Sequence, residues 1–474
     1  MPSSFTTAAI DLGATSGRVI LGHWKGDSLT LEEVHRFPND LQSLGDHDYW
    51  NLPGLFNEIV TGLRKGLSAY PDLASCGVNT WGVDHVLLDA NGRLVFPAHA
   101  YRDQRTLPFQ KKLQGEALEK IYALTGIAVQ PFNTSFQLQE VFSSYPSLRE
   151  MIRKILFLPG YFTYLLSGKA TSDLSIASTS QLLDLHGTDF HPEALEHFGI
   201  PAGILPTPEK AGRKLGPIQR EDLASVEVIL APGHDTGAAF EAMPSKAGQR
   251  DLYISCGTWS LSGFVSDTPM ASPEALARGI SNERTGDGRY RPLRNLLGLW
   301  LLEQTLPHLG KKPETDREWD ELISAAEKEP VPREVLDIED QRFFNPRNMK
   351  EAIDQQLTER QLPIPSTTAG YVRLIIESLA AGQATVAKSF EEMTGQTFDR
   401  ILIVGGGSRN RLLCQRTADH SGHPVISYEL EGTATGNIGC QLVSLGAFPD
   451  SASFRQALSR QLKGQKYSPS AKSE

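Results

Sequence analysis

Apolar residues come in short bursts separated by glycine-bearing turns from the start of the chain: AAIDL, the turn GATSG, RVILGHW and LTLEEVHRF fill residues 8–37. Bursts of this length, bounded by Gly13, Gly17 and the Gly26-Asp27 pair, predict a β-meander. From Leu52 to Tyr70 the period changes, and Leu55, Ile59, Leu63 and Leu67 fall on one helical face. CGVNTWGVDHVLLD then reads as a second strand pair, closed by the Asn91-Gly92 turn before RLVFPAHAYRDQRT. Residues 107–230 predict helical patches and loops, with Pro and Gly gathered at 196–216.

After Pro244 the opening pattern returns. DLYISCGTWSLSGFV is a strand, a turn over Cys256 to Ser260 and a strand, repeating the first unit in form though hardly in identity. LRNLLGLWLLEQTL predicts a helix. A long helix from near Ser366 carries Ile375, Leu379, Val386, Phe390 and Met393 on one face and stops at Gly395. The strand Ile401 to Val404, the glycines 405–407, a helix over Asn410 to Asp419, the strand PVIS and a helix through GNIGCQLVSLG follow; the polar tail from Lys463 predicts disorder. Two halves that both open strand–turn–strand and continue as α/β predict a duplicated architecture with ligands in a cleft between the copies. The expected domains are 1–244 and 245–450, with a C-terminal helix and polar tail over 451–474.

Composition narrows the classes. A chain of 474 residues exceeds one ordinary core, and its 40% hydrophobic and 22% charged residues describe a globular α/β protein. A net charge of −10 without a local Lys/Arg cluster argues against a nucleic-acid partner, although backbone N–H groups and a metal ion still allow an acidic protein to hold a polyanion. The start shows no basic segment followed by an apolar one, and the most apolar stretch, Ile155 to Leu166, is broken by Pro159 and Gly160 and is too short to span a bilayer. The expectation is a cytoplasmic protein without a membrane partner, a monomer or small homo-oligomer. Cys76, Cys256, Cys414 and Cys440 show no metal-ligand spacing and are expected to be reduced and mostly buried.

Five stretches carry candidate chemistry. In APGHDTGAAF, Asp235 precedes a run of small residues, the setting of a helix N-cap and equally of a general base aimed out of a helix mouth. In DLGATSGR, Gly13 and Gly17 permit close approach, Thr15 and Ser16 offer hydroxyls to phosphate oxygens, and Asp11 is placed to orient a hydrated Mg²⁺; a plain hairpin turn would look the same. SCGTWS repeats that inventory, with Gly257 and Thr258 facing phosphate. VGGGSRN ends a strand with three glycines, a bare surface for an adenosine or simply a tight turn. In NTWGVDH, Trp81 is suited to stack on a sugar ring and Asp84 to accept from hydroxyls, unless both belong to the core.

Together, DLGATSGR, NTWGVDHVLLD with YRDQRT, APGHDTGAAF, YISCGTWSLSGF, NERTGDGRYRPLRNLLGLWLLEQ, the FFNP run at Phe343, and LIVGGGSRNRLLCQRTAD with GNIGCQL resemble the FGGY carbohydrate kinases over nearly the whole chain. The nearest likeness is to the branch acting on L-rhamnulose. The resemblance implies two ribonuclease H-like domains of the sugar kinase/actin superfamily and MgATP-dependent phosphorylation of a ketose at its primary hydroxyl. L-rhamnulose is the first expectation, L-fuculose, D-xylulose or L-ribulose the alternatives, and an actin-like ATPase the rival from another class. It also implies that Asp235 is the base, that Gly82, His234, Thr236 and Asn295 contact sugar, and that Ala14, Thr15, Ser16, Gly17, Arg18, Thr258 and Gly406 contact nucleotide, with either Glu303 or Gln304. Three positions depart from the family pattern: Asn79 replaces an Asp, Glu303 stands where a Gln is usual, and Glu431-Gly432-Thr433-Ala434 replaces Glu-Ala-Ser/Thr. The first was expected to remove a charge near the sugar, and the other two to touch nucleotide contacts.

Overall fold

The computed structural model describes residues 4–244, 248–344 and 346–470. The chain forms two compact units. The first gathers Met1–Pro244, Val265–Pro292 and Gly432–Gln461, and the second Ser245–Phe264, Leu293–Glu431 and Leu462–Glu474.

In the first unit the predicted meander is present: strands Ser4–Leu12, Ser16–Lys25 and Ser28–Pro38 pair antiparallel in sequence order. The six-stranded sheet continues from Ser4–Leu12 to the parallel strands Leu73–Thr80 and Glu227–Ile229 and ends on the antiparallel Lys214–Pro217. Helix Leu52–Ala69 starts where the Asn51 side chain accepts from the Gly54 N–H, and it buries Leu55, Ile59 and Leu63 in the same core as Ile10, Val19 and Val78. A second apolar core lies among the elements of residues 87–205, built on Phe136, Phe157, Phe198 and Leu182.

The expected second strand pair is two separate pairings. Leu73–Thr80 joins the large sheet, whereas His85–Leu88 pairs with Lys154–Phe157 in a sheet of its own. The chain turns sharply between them at Val83, where φ is +66°. A buried β-branched residue there is strained by about 1–3 kcal/mol, and it is held by the Thr179 hydroxyl, which accepts from its N–H at 3.1 Å, and by the Thr134 hydroxyl, which donates to its carbonyl at 2.6 Å.

The second unit repeats the scheme. Residues 293–297 of strand Tyr290–Leu297, then Trp259–Gly263 and Asp251–Cys256, pair antiparallel; Arg400–Val404 and Val425–Ser427 follow in parallel, and Gln465–Tyr467 closes the edge antiparallel. The strand order and directions match those of the first unit, so the duplication read from two turns extends to six strands in each.

Two expectations in this unit are corrected. LRNLL is a strand, and the helix is limited to Trp300–Thr305. Leu293, Leu296 and Leu297 fit a helical face, but periodicity does not separate a helix from a strand buried on both sides. Gly298, the residue after the strand, must be glycine because a Cβ there would stand 2.4 Å from the Gly257 carbonyl oxygen. The tail beyond Lys463 contributes strand Gln465–Tyr467, with Tyr467 buried opposite Val425; residues 471–474 lie outside the described residues, as does Asn345 of the FFNP run. The long helix forms as read, Thr368–Thr394, with Gly395 at φ +65° as its stop. All four cysteines are free thiols, and three are fully buried.

Candidate active site

Asp235 is the first residue of helix Asp235–Glu241, one place inside the cap position, which His234 occupies. The segment ahead of it is pinned from three sides. The Thr80 N–H donates to the Gly233 carbonyl at 2.8 Å, the Gly233 N–H to Asp173 Oδ2 at 2.8 Å, and the His234 N–H to the Ser175 hydroxyl at 3.1 Å. Burial raises the Asp173 carboxyl, and the hydrogen bonds from Ser175 and Gly233 offset part of that shift.

The small residues after Asp235 have a packing reason. Helix Gly432–Ser444 lies so close that a Cβ on Gly436 would stand 1.9 Å from the Ala238 carbonyl oxygen, and the Thr433 hydroxyl donates to the Asp235 carbonyl at 3.2 Å. Thr433 therefore buttresses the Asp235 helix within the first unit.

The two oxygens of Asp235 have different surroundings. Oδ1 accepts from the Thr236 N–H at 2.5 Å and the Thr236 hydroxyl at 3.1 Å, with His234 Nε2 at 3.4 Å. Oδ2 makes no hydrogen bond among the described residues, and the side chain is 29% exposed. Oδ1 is thus held by protein donors, and Oδ2 is left to meet an outside proton donor, the geometry of a general base on a rigid element. His234 and Thr236 are both nearly buried. Gly82 lies beside them, since a Cβ there would stand 3.3 Å from His234 Nε2. These four are brought together, with Thr179 adjoining.

Trp81 and Asp84 belong to the core. Asp84 is fully buried; its Oδ2 accepts from Trp50 Nε1 at 2.6 Å, Trp81 Nε1 at 2.8 Å and the Tyr101 N–H at 3.1 Å, and its Oδ1 from Gln137 Nε2 at 3.0 Å. Burial pushes its carboxyl up to about 6 against the pull of those bonds. With four protein donors and no exposed surface, it ties strands and loops together, and the Trp81 ring packs 4.1 Å from Trp50. The expectation that these two meet sugar is corrected on that ground.

Asn79 is also corrected. It is fully buried, donates to the Pro232 carbonyl at its Nδ2 and accepts from Asn437 Nδ2 at 2.5 Å; Gln441 Nε2 donates onward to Asn437 Oδ1 at 2.7 Å. An Asp could not make the donation to Pro232, so the residue suits an amide relay to helix Gly432–Ser444 and bears on packing.

Where strands Ser4–Leu12 and Ser16–Lys25 meet their turn, Asp11 Oδ2 accepts from its cross-strand partner Arg18 at 2.7 Å. Thr15 is exposed, and Ala14 and Ser16 are half-buried. Gly17 is small for a different reason than expected: the Phe37 ring fills the place of its Cβ, at 2.2 Å.

In the second unit, a Cβ on Gly257 would meet nothing within 4 Å. The Gly257 and Thr258 carbonyls accept from the Leu299 and Gly298 N–H groups at 2.7 and 3.0 Å, which fastens this turn to the start of the helix bearing the exposed Glu303 and half-buried Gln304. Of the three glycines at 405–407, Gly405 (φ +81°) and Gly407 are required by contact with Cys256, and Gly406 alone is exposed without such crowding. Asn295 lies on strand Tyr290–Leu297 opposite Leu261, its Oδ1 without a partner among the described residues. No group of three or more His, Cys, Asp and Glu able to hold a metal occurs among the described residues, and no helix there is long and apolar enough to cross a membrane.

One group was missed in the sequence. Glu283 and Arg291 of NERTGDGRYRPL are buried against His234, and nothing local in that stretch marks their charges as buried.

Comparison with known proteins gives the family and the fold. Residues 6–240 match the N-terminal domain, and residues 252–445 the C-terminal domain, of the FGGY family of carbohydrate kinases. A rhamnulokinase of Pectobacterium atrosepticum is 38% identical over 471 residues, covering 98% of this chain and 93% of the relative. One from Bacteroides thetaiotaomicron is 36% identical over 467 residues, 97% of this chain and 95% of the relative. Among solved structures, a gluconate kinase from Lactobacillus acidophilus superposes with a TM-score of 0.80 at 14% identity, over 99% of this chain and 94% of that one. A xyloylose kinase from Brucella ovis gives 0.80 at 19% identity, over 98% and 95%. At such identities the structures show a shared fold.

Proposed function

Because the chain belongs to the FGGY family of carbohydrate kinases, and is thus a sugar phosphotransferase, we propose that it transfers the γ-phosphoryl group of ATP to the primary hydroxyl of L-rhamnulose, giving L-rhamnulose 1-phosphate. The choice of sugar is supported by relatives named rhamnulokinase at 36–38% identity along nearly the whole chain. The solved structures of similar fold carry the names of kinases for other substrates at under 20% identity.

The observation that carries the mechanism is the asymmetry of Asp235, with Oδ1 held and Oδ2 open. Phosphoryl transfer asks little covalent work of the protein, so positioning and charge stabilisation dominate. Asp235 Oδ2 receives or orients the proton of the attacking hydroxyl. Gly82, His234 and Thr236 surround the sugar, with Asn295 as a further contact. Ala14 to Arg18, Gly257, Thr258 and Gly406 hold the nucleotide, with Glu303 or Gln304 beside it; the uncrowded Gly257 and Gly406 fit a ligand laid on backbone. Mg²⁺, when bound, neutralises charge on the phosphates. The donor set fits a hydrated ion better than a protein cage, and Asp11, whose Oδ2 also accepts from Arg18, would be the residue to orient it.

Asp235→Asn tests the assignment. The expected result is a fall in kcat of about 10²–10⁴-fold with ATP affinity by calorimetry nearly unchanged. Turnover close to that of the parent enzyme would remove Asp235 as the base.

A further inference from the structure

Arg291 is among the largest side chains with no exposed surface. Burying a guanidinium costs several kcal/mol even when it is paired, and an apolar residue of similar volume often serves stability as well or better. Its retention calls for a reason in what it touches. Nη2 donates to His234 Nδ1 at 2.9 Å and to Glu283 Oε2, and Glu283 Oε2 lies 3.0 Å from the same His234 nitrogen. Nε and Nη1 have no acceptor among the described residues, and the guanidinium carbon lies 4.9 Å from the centre of the Phe240 ring. The hydrogen bonding of Arg291 is therefore concentrated on the back of one imidazole and on its own counter-ion.

Both groups meet the ring at Nδ1, and Nε2 is thereby turned to Asp235 Oδ1 at 3.4 Å.

We propose that Arg291 and Glu283 are positioning residues for the sugar kinase reaction: they hold His234 at Nδ1 and aim its Nε2 at Asp235 Oδ1, which leaves Oδ2 as the oxygen offered to the sugar hydroxyl. Glu283 serves by neutralising Arg291. Burial pushes the Glu283 carboxyl up, but Arg291 and His234 together bring it below its ordinary value, so it stays ionised as the counter-ion. The inference rests on Asp235 being the base, and it adds a reason why one carboxylate oxygen and not the other is presented.

Two measurements test it. In ¹⁵N spectra of labelled histidine, with the His234 signal identified by its loss in His234→Asn, the His234 Nε2 resonance should move between the parent and Asp235→Asn. An Nε2 resonance unmoved by that change would overturn the proposal, with no need for a variant of Glu283 or Arg291 to fold. In the double variant Glu283→Gln/Arg291→Met, the buried charges are removed together. With L-rhamnulose and ATP, kcat should fall about 10–100-fold, with the KM for ATP within about twofold of the parent; this is about 1.4–2.7 kcal/mol of barrier. A folded double variant with parental kcat would overturn the proposal, as would equal losses in kcat and in nucleotide affinity, which signal general damage. Asp235→Asn assayed alongside separates the two readings. If it is inactive while the double variant is normal, only the positioning role fails; if it is active, the base itself is wrong.

Discussion

At the scale of single residues, the site is built on buried charges whose energetics predict pH behaviour. Glu241, at the far end of the Asp235 helix, accepts from the Gly286 N–H, and burial, with Asp287 and Asp173 nearby, pushes its carboxyl up to about 8. A carboxyl raised in the folded state binds a proton that the unfolded chain has already released. Its contribution to stability is therefore full below about pH 4.5 and is lost as pH rises towards 8. Glu241→Gln, which cannot ionise, should show a melting temperature that gains on the parent steadily between pH 5 and 8.5, read by thermal scans in matched buffers. A constant difference across that range would contradict the shift. Asp84 makes a second residue-scale prediction. In Asp84→Asn either orientation of the amide sets an N–H against an N–H donor, from Gln137 or from Trp50, Trp81 and Tyr101. The expected loss is about 1–3 kcal/mol in denaturant unfolding at neutral pH.

At the scale of elements, the Asp235 helix depends on a neighbour far away in sequence. Helix Gly432–Ser444 reaches it through Gly436, whose missing side chain lets the Ala238 carbonyl in. Gly436→Ala should cost about 3 kcal/mol or more in chemical denaturation, because backbone rather than a flexible side chain stands in the way. A loss under about 0.5 kcal/mol would mean the helices do not pack as closely. This pairing shows where sequence reading stops. The run Thr236-Gly237-Ala238-Ala239 reads only as the setting of a cap or a base, and nothing local says that a second helix packs against it. Gly405 and Gly407 likewise read as a ligand surface, whereas their smallness is used by Cys256, leaving Gly406 uncrowded. Asp84 reads as a group for a sugar, and Asn79 as the loss of a charge beside one, because a sequence shows which residues are near in the chain and not which donors reach them from positions such as Trp50 and Asn437.

At the scale of the molecule, the parts that were legible are those written in local patterns: the meander, the Leu52–Ala69 and Thr368–Thr394 helices, and two strand–turn–strand openings that proved to head sheets of the same order. The parts that were not legible depend on long-range return of the chain. Residues 265–292 and 432–461 group with the first unit, and with them come Glu283, Arg291 and Gly436, the residues that brace His234 and Asp235. The family assignment accounts for the fold and for phosphoryl transfer to a sugar; the identity of that sugar is the central claim. It is tested most directly by ADP release, coupled to an indicator reaction, across L-rhamnulose, L-fuculose, D-xylulose and L-ribulose at saturating MgATP. The account predicts the highest kcat/KM for L-rhamnulose, by at least about tenfold, equivalent to about 1.4 kcal/mol of discrimination. Equal or better turnover of any other sugar in that set would contradict it.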